Sequence, residues 1–292
     1  MAVTKDLSSP PGSLGLYARA AAPMVPGASR LPWFAGGRNE VPDTTLRLAD
    51  VEVDPDALAK YARVCGFRLA ETLPPTYPHI LAFPLHMALM TDGDFPFPAI
   101  GLVHIENRIV QHRPIGVGET LGLTVRATPL SEHPKGRQFT LVTEARAGGE
   151  LVWEGFSTTL RRGKGSGEEK KGGARAEPPP PSADWKLDGG LGRRYAAASG
   201  DRNPIHMHDL SAKLFGFPRA IAHGMWTKAR ALAALEGRLP DAYEVDVAFK
   251  KPILLPAKVT FGSESAGNTT RFSVRDREGA PHLDGTVKRR KS

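Results

Sequence analysis

Residues Tyr195 to Thr227 read YAAASGDRNPIHMHDLSAKLFGFPRAIAHGMWT. Gly200-Asp201 and Asn203-Pro204 are turn dipeptides, so Asp201 to His206 is expected as an irregular loop. Held between packed elements, such a loop can present a carboxylate (Asp201) and an imidazole (His206) to one cleft. That pair moves protons near neutral pH. The same two residues could equally stabilise a turn and cap the next helix. Asn203 adds an amide able to orient either one. From Met207 to Phe215 the pattern is helical again, with Leu210, Leu214 and Phe215 on one side. Ala222-His223-Gly224-Met225 then opens a longer helix, His223 to Leu235, rich in Ala and Leu and expected to be largely buried. Glycine at a helix start lets another molecule approach the backbone. The first N–H groups there lack internal partners and sit at the positive end of the dipole, so they suit an oxygen that gains negative charge. His223 beside them could serve that site or simply pack the helix start, and His208 is expected to face solvent.

Outward from this stretch the chain reads as strands. Tyr243 to Phe249 alternates apolar and polar residues, Lys258 to Phe261 and Thr270 to Val274 continue the style, and Gly262 to Gly267 and Asp276 to Gly279 are expected as turns. The first half has a similar tail in Leu102 to Val110, Thr120 to Ala127, Gln138 to Arg146 and Val152 to Leu160. Before it, Asp54-Pro55 places an N-cap and a first-turn proline ahead of a helix reaching about Val64. The halves also repeat each other. Lys60-Tyr61-Ala62 matches Arg194-Tyr195-Ala196, and Cys65-Gly66 matches Ser199-Gly200, at an offset of 134. His86 faces His223 loosely at 137, and Arg113-Pro114-Ile115 faces Lys251-Pro252-Ile253 at 138. These matches imply a duplicated domain. Each copy is expected to be α+β, with an antiparallel sheet wrapped around a central helix so that both bury their apolar faces.

Between the copies lies RRGKGSGEEKKGGARAEPPPPS, Arg161 to Ser182, too polar and too rich in Gly and Pro to build a core. The expected division is residues 1–160, a linker at 161–182, and residues 183–292. Hydrophobic residues make up 40% of the chain, yet no run approaches the length of a membrane span. Prolines 10, 11, 23 and 26 interrupt the N-terminal segment, which does not resemble a secretory core. The C-terminal Arg-Arg-Lys-Ser is not a peroxisomal signal. A single cysteine, Cys65, excludes an internal disulfide and a multi-thiolate zinc site and fits a reducing cytoplasm. The net charge of +8 suits nucleic acid, an anionic cofactor handle or acidic carrier, or merely a solvated basic surface. No nucleic-acid recognition motif accompanies it, and no nucleic-acid partner is expected.

The stretch containing Ser199-Gly200-Asp201, Asn203-Pro204-Ile205-His206, Gly216-Phe217 and Ile221-Ala222-His223-Gly224-Met225 closely resembles the MaoC-like, or hydratase 2, family. One departure is His208, where the family often has Asp; here Asp209 follows. The resemblance implies a tandem (double) hotdog fold and hydration of a trans-2-enoyl thioester to the (R)-3-hydroxyacyl form. Substrates would be coenzyme A or acyl carrier protein thioesters, with no metal or redox cofactor. It implies Asp201 and His206 as the acid/base pair, assisted by Asn203, and Gly224 N–H as donor to the thioester oxygen. His223 and Ser199 are further candidates at the substrate. At the offsets above, Phe67, Thr72 and Met87 replace Asp201, His206 and Gly224, so the first copy is degenerate and is expected to make room for the acyl chain. Trp33, Phe34, Phe67, Phe83, Phe95 and Phe97 could line such a room or form the first core. The pattern leaves open a homodimer of whole chains.

Overall fold

The computed structural model describes residues 3–22, 40–166 and 177–290. Trp33 and Phe34 lie outside them. The first half opens with β1 (Val3–Leu7) and α1 (Ser13–Ala21), continues with β2 (Thr44–Val51) and α2 (Pro55–Cys65), and reaches a buried helix α3 (Tyr77–Met90). Strands β3 (Leu102–Gln111), β4 (Leu121–Ala127), β5 (Ser131–His133), β6 (Gly136–Ala147) and β7 (Glu150–Arg162) complete it. The second half holds β8 (Pro181–Leu187), α4 (Leu191–Ser199), α5 (Pro204–Met207), α6 (Asp209–Leu214), α7 (Gly224–Ala234), β9 (Tyr243–Phe249), β10 (Ala257–Ala266), β11 (Thr269–Arg275) and β12 (Pro281–Arg289).

Local chemistry explains the corresponding helices. Asp54 caps α2 by accepting from Asp56 N at 2.9 Å and Ala57 N at 3.3 Å, with Pro55 pre-set in the first turn. Both α2 and α4 stop at a left-handed glycine, Gly66 and Gly200. The two helices pack together, with Tyr61 and Tyr195 rings 6.1 Å apart.

Among the described residues, twelve strands form one sheet in the order β1-β2-β4-β6-β7-β3-β9-β12-β11-β10-β8, with β5 paired to β6. The seam between the halves is the antiparallel pair β3–β9, in register from Glu106↔Ala248 to Gln111↔Tyr243. Burying that edge within the chain removes unpaired backbone groups that would otherwise invite another strand. Helices α3 and α7 are the buried centres. Lys228, fully buried on α7, donates to Asn107 Oδ1 at 2.6 Å, Asn107 O at 3.1 Å and Val245 O at 3.2 Å, and so ties α7 to both seam strands. Burial holds its ammonium group well below the usual lysine range. Trp226 Nε1 donates to Val64 O at 2.8 Å and joins α7 to α2.

Several expectations need correction. Gly262 to Ala266 continues β10, because it pairs in register with β11, and the turn is confined to Gly267-Asn268. The expected linker 161–182 is shorter at both ends: Arg161 and Arg162 still belong to β7, paired with β6, and Pro181 and Ser182 already belong to β8, which pairs with β10. Leu210 and Leu214 are each 77% exposed, since α6 is too short to present an apolar stripe to the core. The equivalence of His86 with His223, and of Met87 with Gly224, fails. His86 and Met87 lie near the C-terminal end of α3, whereas His223 caps the start of α7. The second half inserts α5 and α6 before its central helix. Accordingly Thr72, bridged to Gly116, corresponds to Ile221, bridged to Leu254, and not to His206.

Candidate active site

Asp201 follows the Gly200 turn at the end of α4. Its backbone N–H donates to Ser199 Oγ at 3.2 Å, and its Oδ1 accepts from Asn203 N at 3.1 Å. Asn203 caps α5, its Oδ1 accepting from Ile205 N at 3.4 Å. His206 therefore lies on one helical turn and not in an irregular loop as expected, because Asn203 and Pro204 form an N-cap and first-turn pair. Gly192 permits this packing: a Cβ there would collide with the carbonyl oxygen of His206.

His206 Nδ1 donates to Ile221 O at 2.8 Å, which leaves Nε2 as a lone-pair acceptor. Burial lowers the imidazole below its ordinary range, opposed by Asp201 and by the Ile221 carbonyl. His223 stacks on it with centroids 3.7 Å apart. His223 Nε2 donates to Asp201 O at 3.0 Å and lies 3.8 Å from Asp201 Oδ2, while its buried Nδ1 has no hydrogen-bond partner among the described residues. Burial, and then the neighbouring His206, hold His223 well below the ordinary value. One donor atom each from Asp201, His206 and His223 fall within 4.8 Å of one another, a space that suits one water or one small cation. His208 is exposed, and Asp209 Oδ1 instead accepts from Ala220 N at 2.9 Å, steadying the return segment.

Two cavities meet at this point. An outer cleft of about 1090 Å³ contains Asp201, His206, His223 and Gly224. An inner cavity of about 140 Å³ contains Asp201, Ser199 and Asn203 and extends toward α3. Leu102, His104, Asp201, Asn203 and Met225 line both and form the throat between them. Gly224 opens α7 at the outer cleft, and a Cβ on it would sit 3.1 Å from the Phe249 ring. All six predicted residues, Asp201, His206, Asn203, Gly224, His223 and Ser199, thus fall at one site. Of the aromatic candidates, Phe83 lines the inner cavity, whereas Phe67, Phe95 and Phe97 belong to the core.

Sequence reasoning missed Tyr17. Its hydroxyl donates to Gly200 O at 2.8 Å and accepts from Arg202 N at 2.6 Å, the two peptide groups that flank Asp201. Burial and the nearby Asp201 push its phenol far up. No motif marked it, because α1 docks through only a small cluster, Leu16 and Ala20 against Met87. His104 was also missed; it reaches the throat from β3 at a register shift that re-aims the strand.

Comparison with known proteins agrees with this architecture. Residues 176–284 match the family described as the MaoC like domain. The chain is 40% identical over 282 residues to 3-hydroxyacyl-thioester dehydratase X of Mycobacterium tuberculosis, covering 95% of this chain and 98% of the relative. A crystal structure of HtdX from Mycobacterium tuberculosis superposes with a TM-score of 0.75 at 41% identity, covering 83% of this chain and 98% of that one. A MaoC-like dehydratase from Phytophthora capsici shares the fold at a TM-score of 0.67 and 20% identity, over 85% and 95% of the two chains. The largely antiparallel sheet and buried central helices define a hotdog fold, and the match to the dehydratase relatives makes the class a hydro-lyase. The chain belongs to the MaoC-like hydratase and dehydratase family.

Proposed function

We propose that the chain catalyses reversible hydration of a trans-2-enoyl thioester to an (R)-3-hydroxyacyl thioester, on coenzyme A or on a carrier protein with the same phosphopantetheine arm. The observation behind this reading is that Asp201 and His206 open on one cleft beside the free amides at the start of α7. Between them the pair takes a proton from water as its oxygen bonds to the β-carbon and delivers a proton to the α-carbon. The displaced π electrons pass to the thioester oxygen, where Gly224 N–H stabilises the developing charge, and return to form the new C–H bond. Asn203, Ser199, His223 and Tyr17 act as positioning residues for Asp201. Lys135, Arg162 and Lys250 line the outer cleft and supply positive charge for phosphates of the handle. The half from β8 onward carries the chemistry, the half ending with β7 is the degenerate copy that shapes the acyl site, and residues 163–180 tether them. The lone buried thiol of Cys65 fits a cytoplasmic enzyme.

The test follows the ultraviolet absorbance of a conjugated enoyl thioester. Asp201→Asn and His206→Gln should each lose about 10²–10⁴-fold in turnover. Near-wild-type rates with unchanged circular dichroism refute the assignment. Dialysis against a chelator should leave the rate unchanged; a loss restored by added metal would make the Asp201, His206 and His223 trio a metal centre instead.

A further inference from the structure

If the thioester occupies the outer cleft, its acyl chain enters the inner cavity, so the role of that cavity rests on the proposed hydration. Ile80, Phe83, Met87, Met90 and Ile100 supply an apolar wall. A site for plain hydrocarbon needs nothing more, yet three imidazoles line the same cavity: His79 and His86 from α3, and His104 from β3. The His79 centroid lies 4.9 Å from that of His86 and 6.4 Å from that of His104. His86 Nε2 is engaged by Thr143 Oγ1 at 2.7 Å. His104 Nε2 has no hydrogen-bond partner among the described residues, but it is covered and does not face the cavity space. The His79 ring takes part in ring contacts only, with no hydrogen bond among the described residues.

Burial keeps these rings neutral, lowering His86 to about 3 and His104 to about 4, with His79 also well down. A neutral imidazole offers one N–H donor and one lone-pair acceptor. The cavity therefore offers donors and acceptors together, which is what a hydroxyl or carbonyl oxygen can use. An alkyl chain would seal the His79 ring nitrogens from water and give them no hydrogen bond, and a buried polar group left unpaired is penalised more than a paired one is rewarded. We propose that the inner cavity selects acyl thioesters whose chain carries an oxygen function, a hydroxyl or ketone, beyond the reacting carbons. His79 hydrogen-bonds that oxygen.

The experiment uses the full chain and trans-2-enoyl-coenzyme A substrates of one length. A single hydroxyl is moved carbon by carbon toward the chain end, with the unsubstituted chain as reference. At one position kcat/KM should exceed the reference by about tenfold, the worth of one or two net hydrogen bonds. His79→Leu should bring that ratio to one or below. A wild-type ratio at or below one at every position overturns the proposal, as does a ratio that survives the His79→Leu substitution. Should a variant fail to fold, the wild-type series decides by itself. Hydration of no member, the unsubstituted chain included, would instead refute the proposed reaction. Calorimetric binding of matched saturated hydroxyacyl- and acyl-coenzyme A pairs would then still measure the preference of the cavity, with equal or weaker binding of the hydroxyacyl form overturning it.

Discussion

Tyr17→Phe removes one oxygen atom and keeps the ring that walls the inner cavity. The lost hydroxyl bridges Gly200 O and Arg202 N, the groups on either side of Asp201. Each bond contributes about 1 kcal/mol net, so the clamp contributes about 2 kcal/mol at most. If that energy holds the Asp201 carboxylate in its reactive position, its full loss corresponds to roughly thirtyfold in rate. We expect kcat to fall about five- to thirtyfold while KM for a short enoyl thioester stays within roughly twofold. Uniform binding does not depend on the hydroxyl, and the ring remains in place. Tyr17→Ala should add a change in KM with chain length, because it also opens the cavity wall. Steady-state kinetics with thermal unfolding as control makes the measurement. A Tyr17→Phe kcat within twofold of wild type in a folded protein would refute the clamp. A loss confined to KM would show that Tyr17 only lines the pocket.

Gly224→Val should lower turnover by roughly 10²–10³-fold, since the new side chain meets Phe249 and blocks the start of α7; normal kinetics would place the oxygen-binding amides elsewhere. Acid should destabilise the fold above the range where carboxylates titrate. His86 and His104 are held neutral by burial, so the unfolded chain binds more protons below its ordinary histidine value. Their stabilisation is complete above that value and falls by about 1.4 kcal/mol per pH unit for each beneath it. Between pH 7 and about 5.5 the pair should cost about 2–3 kcal/mol, or about 5 °C or more in Tm, and an unchanged Tm across that window would refute their burial as neutral rings. Residues 183–292 alone should be poorly soluble, because β9 loses its β3 partner, and co-expression of residues 1–160 should restore activity; a soluble second half that matches the full chain on every chain length would remove any role for the first.

Much of the frame was legible because its signals are local. Asp54-Pro55, Gly66 and Gly200 punctuate helices through caps and left-handed turns, which depend on adjacent residues alone. Tyr243 to Phe249 alternates because one sheet face is buried. The Asp201 to His206 motif marked its own residues, although the expected loop is a helical turn from Pro204, and all six expected residues fall at one site. The central helix of the first half was not legible, since Pro84 in its interior contradicts helix propensity and only burial of its sides outweighs it. The offset pairing His86 with His223 misled for a related reason. An insertion of two short helices keeps residues in order along the chain while moving them to opposite ends of their helices.

By itself the sequence determined the duplicated α+β architecture, the family, and the identity of the candidate acid/base pair, because each is written in short-range patterns or in a contiguous motif. Tertiary structure alone decided what surrounds that pair. Tyr17 meets the peptides flanking Asp201 across 183 and 185 positions of chain. Lys228 finds its acceptors on two strands from different halves. His79, His86 and His104 come together only when α3 packs inside the sheet. Such contacts leave no periodic trace, since their partners are chosen by how buried faces stack and not by spacing along the chain.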